Sequence, residues 1–253
     1  MLRQFAKRVV SAAPVLRPLA AHVDCLLTGH KNLLYDERTI AILRRVCQPN
    51  SNVVDIGTHE AELLRTVLEI CPQGHHYAFE PLPELAGALR RCLPAHVTVC
   101  EFALGDGEGQ FSFFRNLTDS ARSGLRRTRF DADQKVEQLR VQVKRLDDVL
   151  PREFRVKVIK IDVEGAEYLV LCGAVDTLRR CHPVIIFEHG MGGSDEAYGH
   201  PPEEVYEFLS GLQYSLFTLK RFLDRGAPLS AAAFAAAFRS QGEYYFVASA
   251  TGN

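Results

Sequence analysis

The stretch VVDIGTHEAELL, residues 53–64, is a short apolar run followed by a glycine and an amphipathic segment. This order predicts a buried β-strand that ends near Asp55, a tight turn at Gly57 and then a helix. A strand that leads into a helix begins a βαβ unit, so we expect the same order to recur further along the chain.

The same order does recur from residue 51 onward. Runs rich in Val, Ile and Phe predict strands, and the longer amphipathic segments predict helices. The predicted central strands are 51–57, 75–80, 97–104, 156–162 and 183–189, and the predicted helices are 60–70, 83–92, 166–180 and 201–212. Two late strands, 214–219 and 244–249, are expected to form an antiparallel pair around a helical Ala-rich segment. The pattern indicates an α/β domain with a mostly parallel sheet.

Composition sets the size and the class of the protein. The chain has 253 residues, of which 47% are hydrophobic, so we expect an N-terminal helical extension (1–49) and one domain (50–253). A formal net charge of -1 argues against a nucleic-acid partner. Seven cysteines without a C-x-x-C pair argue against a disulfide framework or a zinc ribbon, and they favour a reducing cytosol.

The first 29 residues form a basic amphipathic segment that is interrupted by Pro14 and Pro18. Its apolar stretches are too short to span a bilayer, and no signal-peptide cleavage site follows them. We expect a helical cap over the domain, with weak contact to a membrane surface as the alternative.

Acidic residues end several of the predicted strands. In an open parallel sheet, ligands bind at the carboxyl ends of the strands. The acids at or just beyond these ends are Asp55, Glu80, Asp162, Glu164 and Glu188, and His189 follows the last of them. We therefore expect five carboxylates to converge on one edge of the sheet.

The turn after the first strand indicates which ligand these acids meet. A dinucleotide fold needs G-x-G-x-x-G, whereas here Gly57 is followed by His59 and Ala61. The neighbouring acids Glu60 and Glu62 would repel a pyrophosphate but tolerate a cationic sulfonium. The turn thus favours an S-adenosyl ligand over NAD. An NAD-dependent oxidoreductase remains an alternative, because many such enzymes also begin with a βαβ unit. Glu80 is placed to accept hydrogen bonds from ribose hydroxyls.

Five motifs resemble one family in the same order along residues 50–220. They are VVDIGTHEAE, YAFEPLPE, FALGDGEG, IKIDVEGAEYLVLCGA and PVIIFEH. Together they resemble the FkbM family of S-adenosylmethionine-dependent methyltransferases, and the IDVEGAE block is the most specific of them.

The resemblance implies a Rossmann-like, seven-stranded class I methyltransferase sheet of order 3-2-1-4-5-7-6, with the last strand antiparallel and helices on both faces. It also implies methyl transfer from S-adenosylmethionine to a hydroxyl oxygen. By the same resemblance, Asp55 and Gly57 shape the turn around the methionine part, Glu80 holds the ribose, Asp106 approaches the adenine, and Asp162 faces the sulfonium and the acceptor.

The chain departs from the family pattern at two positions, with His59 where Asn is usual and Ala61 where Gly is usual. Ala61 can be accommodated if it begins the helix with ordinary helical dihedral angles. His59 either hydrogen-bonds the cofactor carboxylate or only packs. These two departures suggest an alternative function, a catalytically silent binding module that has the methyltransferase fold.

Methyl transfer to oxygen needs a group that removes the acceptor's proton. The candidates, in order, are Asp162, His189 and Glu188, all at strand ends. Glu164 and Glu167 are expected to cap the helix that follows them.

The same strand ends bear on a metal site. Asp162, Glu188 and His189 could also supply ligands to a divalent metal, but no metal-motif spacing is present, so a metal is not favoured.

The acceptor is a small molecule or glycan by this reading. The predicted loop 116–140 includes Arg122, Arg126, Arg127 and Arg129. Their guanidinium groups suit a hydroxylated, anionic acceptor such as a sugar, a glycolipid or a polyketide-like metabolite. We expect the middle of this loop to be mobile and to lie beside the site.

Overall fold

The computed structural model describes residues 20–21, 24–25, 31–128, 134–190, 197–240 and 242–250. Nearly all of segment 1–29 lies outside these ranges, as does Arg129, so the predicted cap and its membrane contact stay predictions. Within the described ranges, no helix combines the length and the apolar character needed to cross a bilayer.

The β-strands include every strand predicted above, with one exception, and two further strands between the third and fourth central ones. In chain order they are β1 (Asn52–Ile56), β2 (His76–Phe79), β3 (Val97–Cys100), β4 (Ala103–Leu104), β5 (Gly109–Asn116), β6 (Val136–Lys144), β7 (Val156–Ile161), β8 (Val184–Glu188), β9 (Tyr214–Thr218) and β10 (Tyr245–Ala250). The exception is the predicted strand 97–104, which is wrong as a single element. It divides into β3 and β4, and these two strands belong to different sheets.

The central sheet has seven strands in the order β3-β2-β1-β7-β8-β10-β9. Strands β3, β2, β1, β7 and β8 pair in parallel, whereas β10 runs antiparallel to both β8 and β9. With the strands of this sheet numbered in chain order, the arrangement is 3-2-1-4-5-7-6 with an antiparallel last strand. The predicted fold class is confirmed.

Helices cover both faces of the sheet. They are α1 (Asn32–Val46), α2 (Glu62–Ile70), α3 (Pro83–Cys92), α4 (Leu146–Val149), α5 (Glu167–Cys172), α6 (Val175–Cys181), α7 (Pro202–Gly211), α8 (Leu219–Leu223) and α9 (Ala231–Arg239). Buried residues of α1, α2 and α8 share a core with one face of the central strands, and those of α5, α6, α7 and α9 share a core with the other. Alternate strand residues therefore enter different cores, as Val53 and Val54 do.

The predicted helix 166–180 is wrong as one continuous element, because α5 and α6 are separate helices around Gly173. A Cβ atom at position 173 would lie 1.9 Å from the carbonyl oxygen of Gly105. The chain therefore needs glycine there, at the point where two backbone segments approach each other.

A small second sheet, of order β4-β6-β5, stands beside the central one. Its β5–β6 hairpin extends into both ends of the predicted loop 116–140, because β5 ends at Asn116 and β6 begins at Val136. Phe113 and Val141 of this hairpin pack against Leu82, which follows β2. The hairpin thereby lies against the carboxyl end of the central sheet.

Candidate functional site

A pocket opens at the carboxyl ends of β1, β2 and β7. Its empty space is about 580 Å³, measured out to the open mouth. The central sheet supplies Gly57, Glu80 and Asp162, and the segment between β5 and β6 contributes Ser120 and Leu125. The pocket therefore lies where an open parallel sheet is expected to bind its ligand.

The turn after β1, residues 57–61, is the first turn of the pocket. The backbone N–H groups of Gly57 and Thr58 both donate to the carbonyl oxygen of Phe79, each at 3.1 Å. Gly57 has φ +79°, and a Cβ atom there would lie 1.8 Å from the carbonyl oxygen of Asp162. Only glycine fits, because the first turn crosses directly over the end of β7.

Ala61 has left-handed dihedral angles, φ 60° and ψ 30°, and is completely buried. The expectation that it begins the helix with ordinary helical angles is wrong. Tertiary packing imposes the left-handed angles, because the first turn must close before α2 begins at Glu62. A left-handed alanine costs about 1–2 kcal/mol relative to its right-handed form.

Glu80 connects the first turn to the end of β2. One carboxylate oxygen accepts the backbone N–H of His59 and the other accepts that of Leu82, each at 2.9 Å. Burial raises the pKa of Glu80, while these two hydrogen bonds oppose the rise. Each carboxylate oxygen has a second acceptor site, so Glu80 can still receive hydroxyl groups from a ligand in the pocket.

His59 joins the first turn to the second sheet. Its ring Nε2 lies 2.8 Å from Ser120 Oγ, and its backbone has φ +48°. The ring is therefore engaged with Ser120, and His59 itself lines the pocket. A hydrogen bond from His59 to a cofactor carboxylate stays a prediction.

A lysine that the sequence analysis missed lies beneath the pocket. Lys160 is the register partner of Asp55 on the neighbouring strand. Its Nζ is 3.2 Å from Asp162 Oδ2, 3.9 Å from Asp55 Oδ1 and 3.3 Å from the carbonyl oxygen of Gly57. Burial lowers the pKa of Lys160, but Asp162 and Asp55 outweigh that effect and raise it. Lys160 therefore stays charged and pairs with both acids.

Asp55 is buried as deeply as Glu167, with 1% of its surface exposed. Neither carboxylate oxygen has a hydrogen-bond partner among the described residues, and the nearest cation is Lys160. Burial raises the pKa of Asp55, and Lys160 opposes the rise. Asp55 is thus placed under the first turn, outside the pocket lining.

Asp162 lines the pocket as a fixed anion. Its Oδ2 accepts hydrogen bonds from Lys160 and from the hydroxyl of Tyr245. Burial would raise the pKa of Asp162, but the charge of Lys160 and hydrogen bonds with Glu188 and Tyr245 lower it overall. A carboxylate held in this way is a poor proton acceptor near neutral pH, so its predicted role as the first-choice base is not supported.

Two more carboxylates lie close to Asp162. One ligand atom from each of Asp162, Glu164 and Glu188 lies within 4.8 Å of the other two. Burial and the charge of Asp162 raise the pKa values of Glu164 and Glu188 well above their usual range. Oxygen ligands of this kind suit hard divalent cations, but Lys160 already supplies a positive charge to Asp162, and we assign no metal here.

The turn after β7, residues 162–167, is the second turn of the pocket. Glu167 is buried, and its Oε1 accepts the backbone N–H groups of Val163 at 3.0 Å and Gly165 at 3.1 Å. Burial raises the pKa of Glu167 to about 7, against the lowering effect of these hydrogen bonds. Glu167 therefore bonds back to the turn that precedes α5, and the predicted capping of the helix is wrong, because no side chain of the described residues caps the N-terminus of α5.

His189 and Asp106 lie apart from the pocket lining. His189 is completely buried between Phe234 and Phe238, with ring centroids 6.0 and 4.7 Å away. Burial lowers the pKa of His189 to about 3. This environment argues against the predicted role of His189 as the base. Asp106 is exposed, and the described lining includes Phe102 and Ala103 from the same region instead.

The arginines that the structure describes in loop 116–140 do not line the pocket either. The guanidinium of Arg126 donates to the carbonyl oxygen of Ala197 at 2.8 Å and lies 5.0 Å from the ring centroid of Tyr198. Arg122 is 3.4 Å from Asp119 within its own loop. The described part of this loop is held by hydrogen bonds, such as the two backbone N–H groups that Asn116 Oδ1 accepts.

Three functional side chains, Lys160, Tyr245 and Ser120, were absent from the sequence-based prediction. Lys160 carried a signal, since a lysine inside an apolar strand is buried only with a partner. Tyr245 and Ser120 carried none, because only the tertiary structure brings Tyr245 to Asp162 and Ser120 to the pocket.

The family model described as Methyltransferase FkbM domain matches residues 55–216. Among curated proteins, none matches this chain. A methyltransferase FkbM structure from Methylobacillus flagellatus KT is 14% identical, with a TM-score of 0.50, over 98% of this chain and 57% of that one. The present chain thus spans little more than half the length of that relative.

Two further solved structures are less similar. A precorrin-6y C5,15-methyltransferase from Geobacter metallireducens GS-15 is 18% identical, with a TM-score of 0.40, over 71% of this chain and 72% of that one. A protein from Streptococcus mutans, solved in complex with SAH, is 10% identical, with a TM-score of 0.45, over 84% of this chain and 94% of that one.

Proposed function

This chain belongs to the FkbM family of methyltransferases, and from that premise we propose that it transfers a methyl group from S-adenosylmethionine to a hydroxyl oxygen. The acceptor we propose is a small molecule or glycan: a sugar, a glycolipid or a secondary metabolite. A nucleic-acid acceptor is not favoured by the charge of the chain.

The observation that carries this proposal is the position of Glu80 at the edge of the pocket. Its carboxylate is fixed by two backbone N–H groups and keeps acceptor sites for ribose hydroxyls. Phe79, Leu82 and Phe102 give the same pocket an apolar wall that suits a nucleoside base. The residues present therefore fit an adenosine group.

The first turn supports a sulfonium ligand over a phosphate-bearing one. Its Gly57 and Thr58 N–H groups are already bonded to Phe79, so they are not free to cradle a pyrophosphate. The acids Asp162 and Glu164 line the same pocket and would repel phosphate charges. When bound, S-adenosylmethionine supplies an electrophilic methyl group on a positively charged sulfur.

Two carboxylates in this region, Glu164 and Glu188, support an oxygen acceptor. Transfer to a hydroxyl needs a group that takes its proton, and a carboxylate whose pKa is raised towards neutrality is suited to that task. Burial raises the pKa values of both Glu164 and Glu188 in this region.

The proposal is tested by incubating the protein with trideuteromethyl S-adenosylmethionine and a metabolite extract from a strain that lacks the gene. We expect a deuterated product in mass spectra, with the label on an ether oxygen by NMR. A Glu80→Ala variant should form at least about tenfold less product, because it loses the ribose acceptor.

Two results would contradict the proposal. A label found on nitrogen or carbon would refute O-methyl transfer. A folded protein that forms no labelled product would instead support the silent binding module, for which the departures at His59 and Ala61 are the specific observation.

A further inference from the structure

We propose that Glu164 is the catalytic carboxylate that receives the proton of the acceptor hydroxyl. This inference rests on the proposed O-methyl transfer and assigns its proton-accepting residue. The sequence had suggested a helix-capping role for Glu164 and had placed it among the strand-end acids, without naming it as a base.

The backbone holds Glu164 at the pocket in an unfavourable conformation. Glu164 has φ +56°, in the left-handed region that non-glycine residues rarely adopt, and Gly165 follows with φ +107°. Glu164 lines the pocket together with Asp162 and Val163. A strained residue persists only when its surroundings enforce it, and such residues cluster at active sites.

Two of the neighbouring carboxylates are already engaged by other groups. Asp162 accepts hydrogen bonds from Lys160 and Tyr245, and Glu167 Oε1 accepts the two backbone N–H groups of the second turn. If Asp162 left its partners, the buried charge of Lys160 would lose its counterion, and if Glu167 left its partners, two backbone N–H groups would lose their acceptor.

Glu188 and Glu164 differ in their access to the pocket. Glu188 shares a hydrogen bond with Asp162 and does not contribute to the described pocket lining. Among the described residues, no hydrogen bond or ion pair fixes the Glu164 carboxylate, and it does line the pocket. Glu164 is therefore the carboxylate that is free to meet an acceptor hydroxyl.

The second sheet encloses Glu164 from another side. A Cβ atom at Gly124 would lie 3.4 Å from the Cβ of Glu164, so the loop after β5 packs against it. The charged groups that face it are Asp162, Glu167, Glu188, Asp119 and Arg122. Only Arg122 opposes the rise that burial and the acids produce in the pKa of Glu164. This environment favours the protonated form of Glu164, which is the form that receiving a proton from the acceptor would produce.

The overall change is balanced. The acceptor oxygen gains the methyl group and loses its proton, the sulfonium becomes a neutral thioether, and the proton goes to a carboxylate oxygen of Glu164. The proton is later released to solvent, so no further reactant is needed.

A binding experiment tests the position and the ionisation of Glu164 without an acceptor. Calorimetry would give the dissociation constants of S-adenosylmethionine and S-adenosylhomocysteine at about pH 5.5 and about pH 8. The two ligands differ by one methyl group and by the positive charge on sulfur. The contribution of the methyl group does not change with pH, so the pH dependence of the affinity ratio reports negative charge near the reacting centre. As pH rises, Glu164 loses its proton, and we expect the ratio to favour the sulfonium about fivefold more in the wild type.

The variant Glu164→Gln should show a clearly smaller pH dependence than wild type, because it loses the contribution of Glu164 and keeps those of Glu167 and Glu188. The control Glu207→Gln, at an exposed position of α7, should keep the full wild-type dependence. A Glu164→Gln protein with the wild-type pH dependence would overturn the inference. A wild-type protein that binds neither ligand would instead overturn the proposed function, so the two failures are distinguishable.

The labelled-methyl incubation gives a second readout. We expect Glu164→Gln to bind S-adenosylhomocysteine within about threefold of wild type and to form about a hundredfold less labelled product, the usual effect of losing a general base. Unchanged product formation by Glu164→Gln, with an active wild type, would refute the role of Glu164 as proton acceptor.

Discussion

The two turns of the pocket are built in opposite ways. The first turn, residues 57–61, is fixed from outside, because its N–H groups bond to Phe79 and Glu80 of the neighbouring strand. The second turn, residues 162–167, is fixed from within by the carboxylate of Glu167. Both contain left-handed residues that are not glycine.

This difference determines what each turn can present to a ligand. The N–H groups of Gly57, Thr58 and His59 in the first turn are hydrogen-bonded within the protein, so this turn offers a ligand the hydrogen-bond acceptor sites of Glu80. The second turn uses one acid for its own structure and presents two others, Asp162 and Glu164, to the pocket. One turn is therefore suited to positioning a ligand and the other to handling charge and protons.

The largest expected effect breaks the first turn. Gly57→Ala places a methyl group against the carbonyl oxygen of Asp162 and forces alanine to φ +79°. We expect it to reduce the free energy of unfolding by more than about 4 kcal/mol, measured by urea denaturation. Gly107→Ala, where an added Cβ meets nothing within 4 Å, is the control and should change little. Equal losses in the two variants would refute the close crossing of the turn over β7.

The next largest effect is the pH dependence of the free energy of unfolding, to which Glu167 of the second turn contributes. The pKa of Glu167 is raised from 4.5 to about 7 in the folded protein. Folding therefore favours the protonated form of Glu167. The contribution of this proton to the free energy of unfolding is complete below about pH 4.5 and is lost as the pH rises through about 7. We expect the free energy of unfolding to be up to about 3 kcal/mol lower at pH 8 than at pH 5.

Burial raises the pKa values of Glu164 and Glu188 as well, so they contribute in the same direction, whereas the lowered pKa of Asp162 contributes in the opposite one. Glu167→Gln should show a smaller difference between the two pH values than wild type, and Glu207→Gln should match wild type. A Glu167→Gln protein with the full difference would mean that Glu167 does not titrate as described.

A smaller effect concerns the anchor of Asp162 in the second turn. Tyr245→Phe removes the hydroxyl that donates to Asp162, while Lys160 remains. We expect a loss of about 1.5 kcal/mol of unfolding free energy, typical of a hydrogen bond to a charged group. Tyr77→Phe removes a hydroxyl that has no hydrogen bond within the described residues, and it should cost much less. Similar losses would show that the Tyr245 hydroxyl does not anchor Asp162.

The smallest effect concerns the left-handed residue of the first turn. Ala61→Gly relieves the backbone strain but removes a buried methyl group and loosens the unfolded chain, so we expect a net change within about 0.5 kcal/mol. Ala86→Gly, at a buried and ordinary helical position in α3, should cost about 2 kcal/mol. If both variants lose the same stability, Ala61 carries no strain.

The sequence predicted the sheet well because periodic apolar runs and the family motifs agree on the same elements. Every predicted central strand has a counterpart, and the order of the seven-stranded sheet is confirmed. The errors occur where long-range packing determines the ends of an element. These places are the division of the predicted strand 97–104 after Cys100 and the break in the predicted helix 166–180 beside Gly173.

The site was predictable only in part. Strand-end acids are visible in the sequence, and the structure brings Glu80, Asp162 and Glu164 to one pocket. The choice among those acids depends on Lys160 and Tyr245, whose contacts with Asp162 have no local sequence signal. The burial of His189 also depends on α9, which lies far along the chain.

We propose that the pocket at the carboxyl ends of β1, β2 and β7 holds a sulfonium nucleoside through Glu80. This binding is measured by calorimetric titration of the folded protein with S-adenosylhomocysteine and, separately, with NAD. We expect a micromolar dissociation constant for S-adenosylhomocysteine, loss of that binding in Glu80→Ala, and no comparable binding of NAD. Preferential binding of NAD, or no binding of either ligand by a folded wild-type protein, would contradict it.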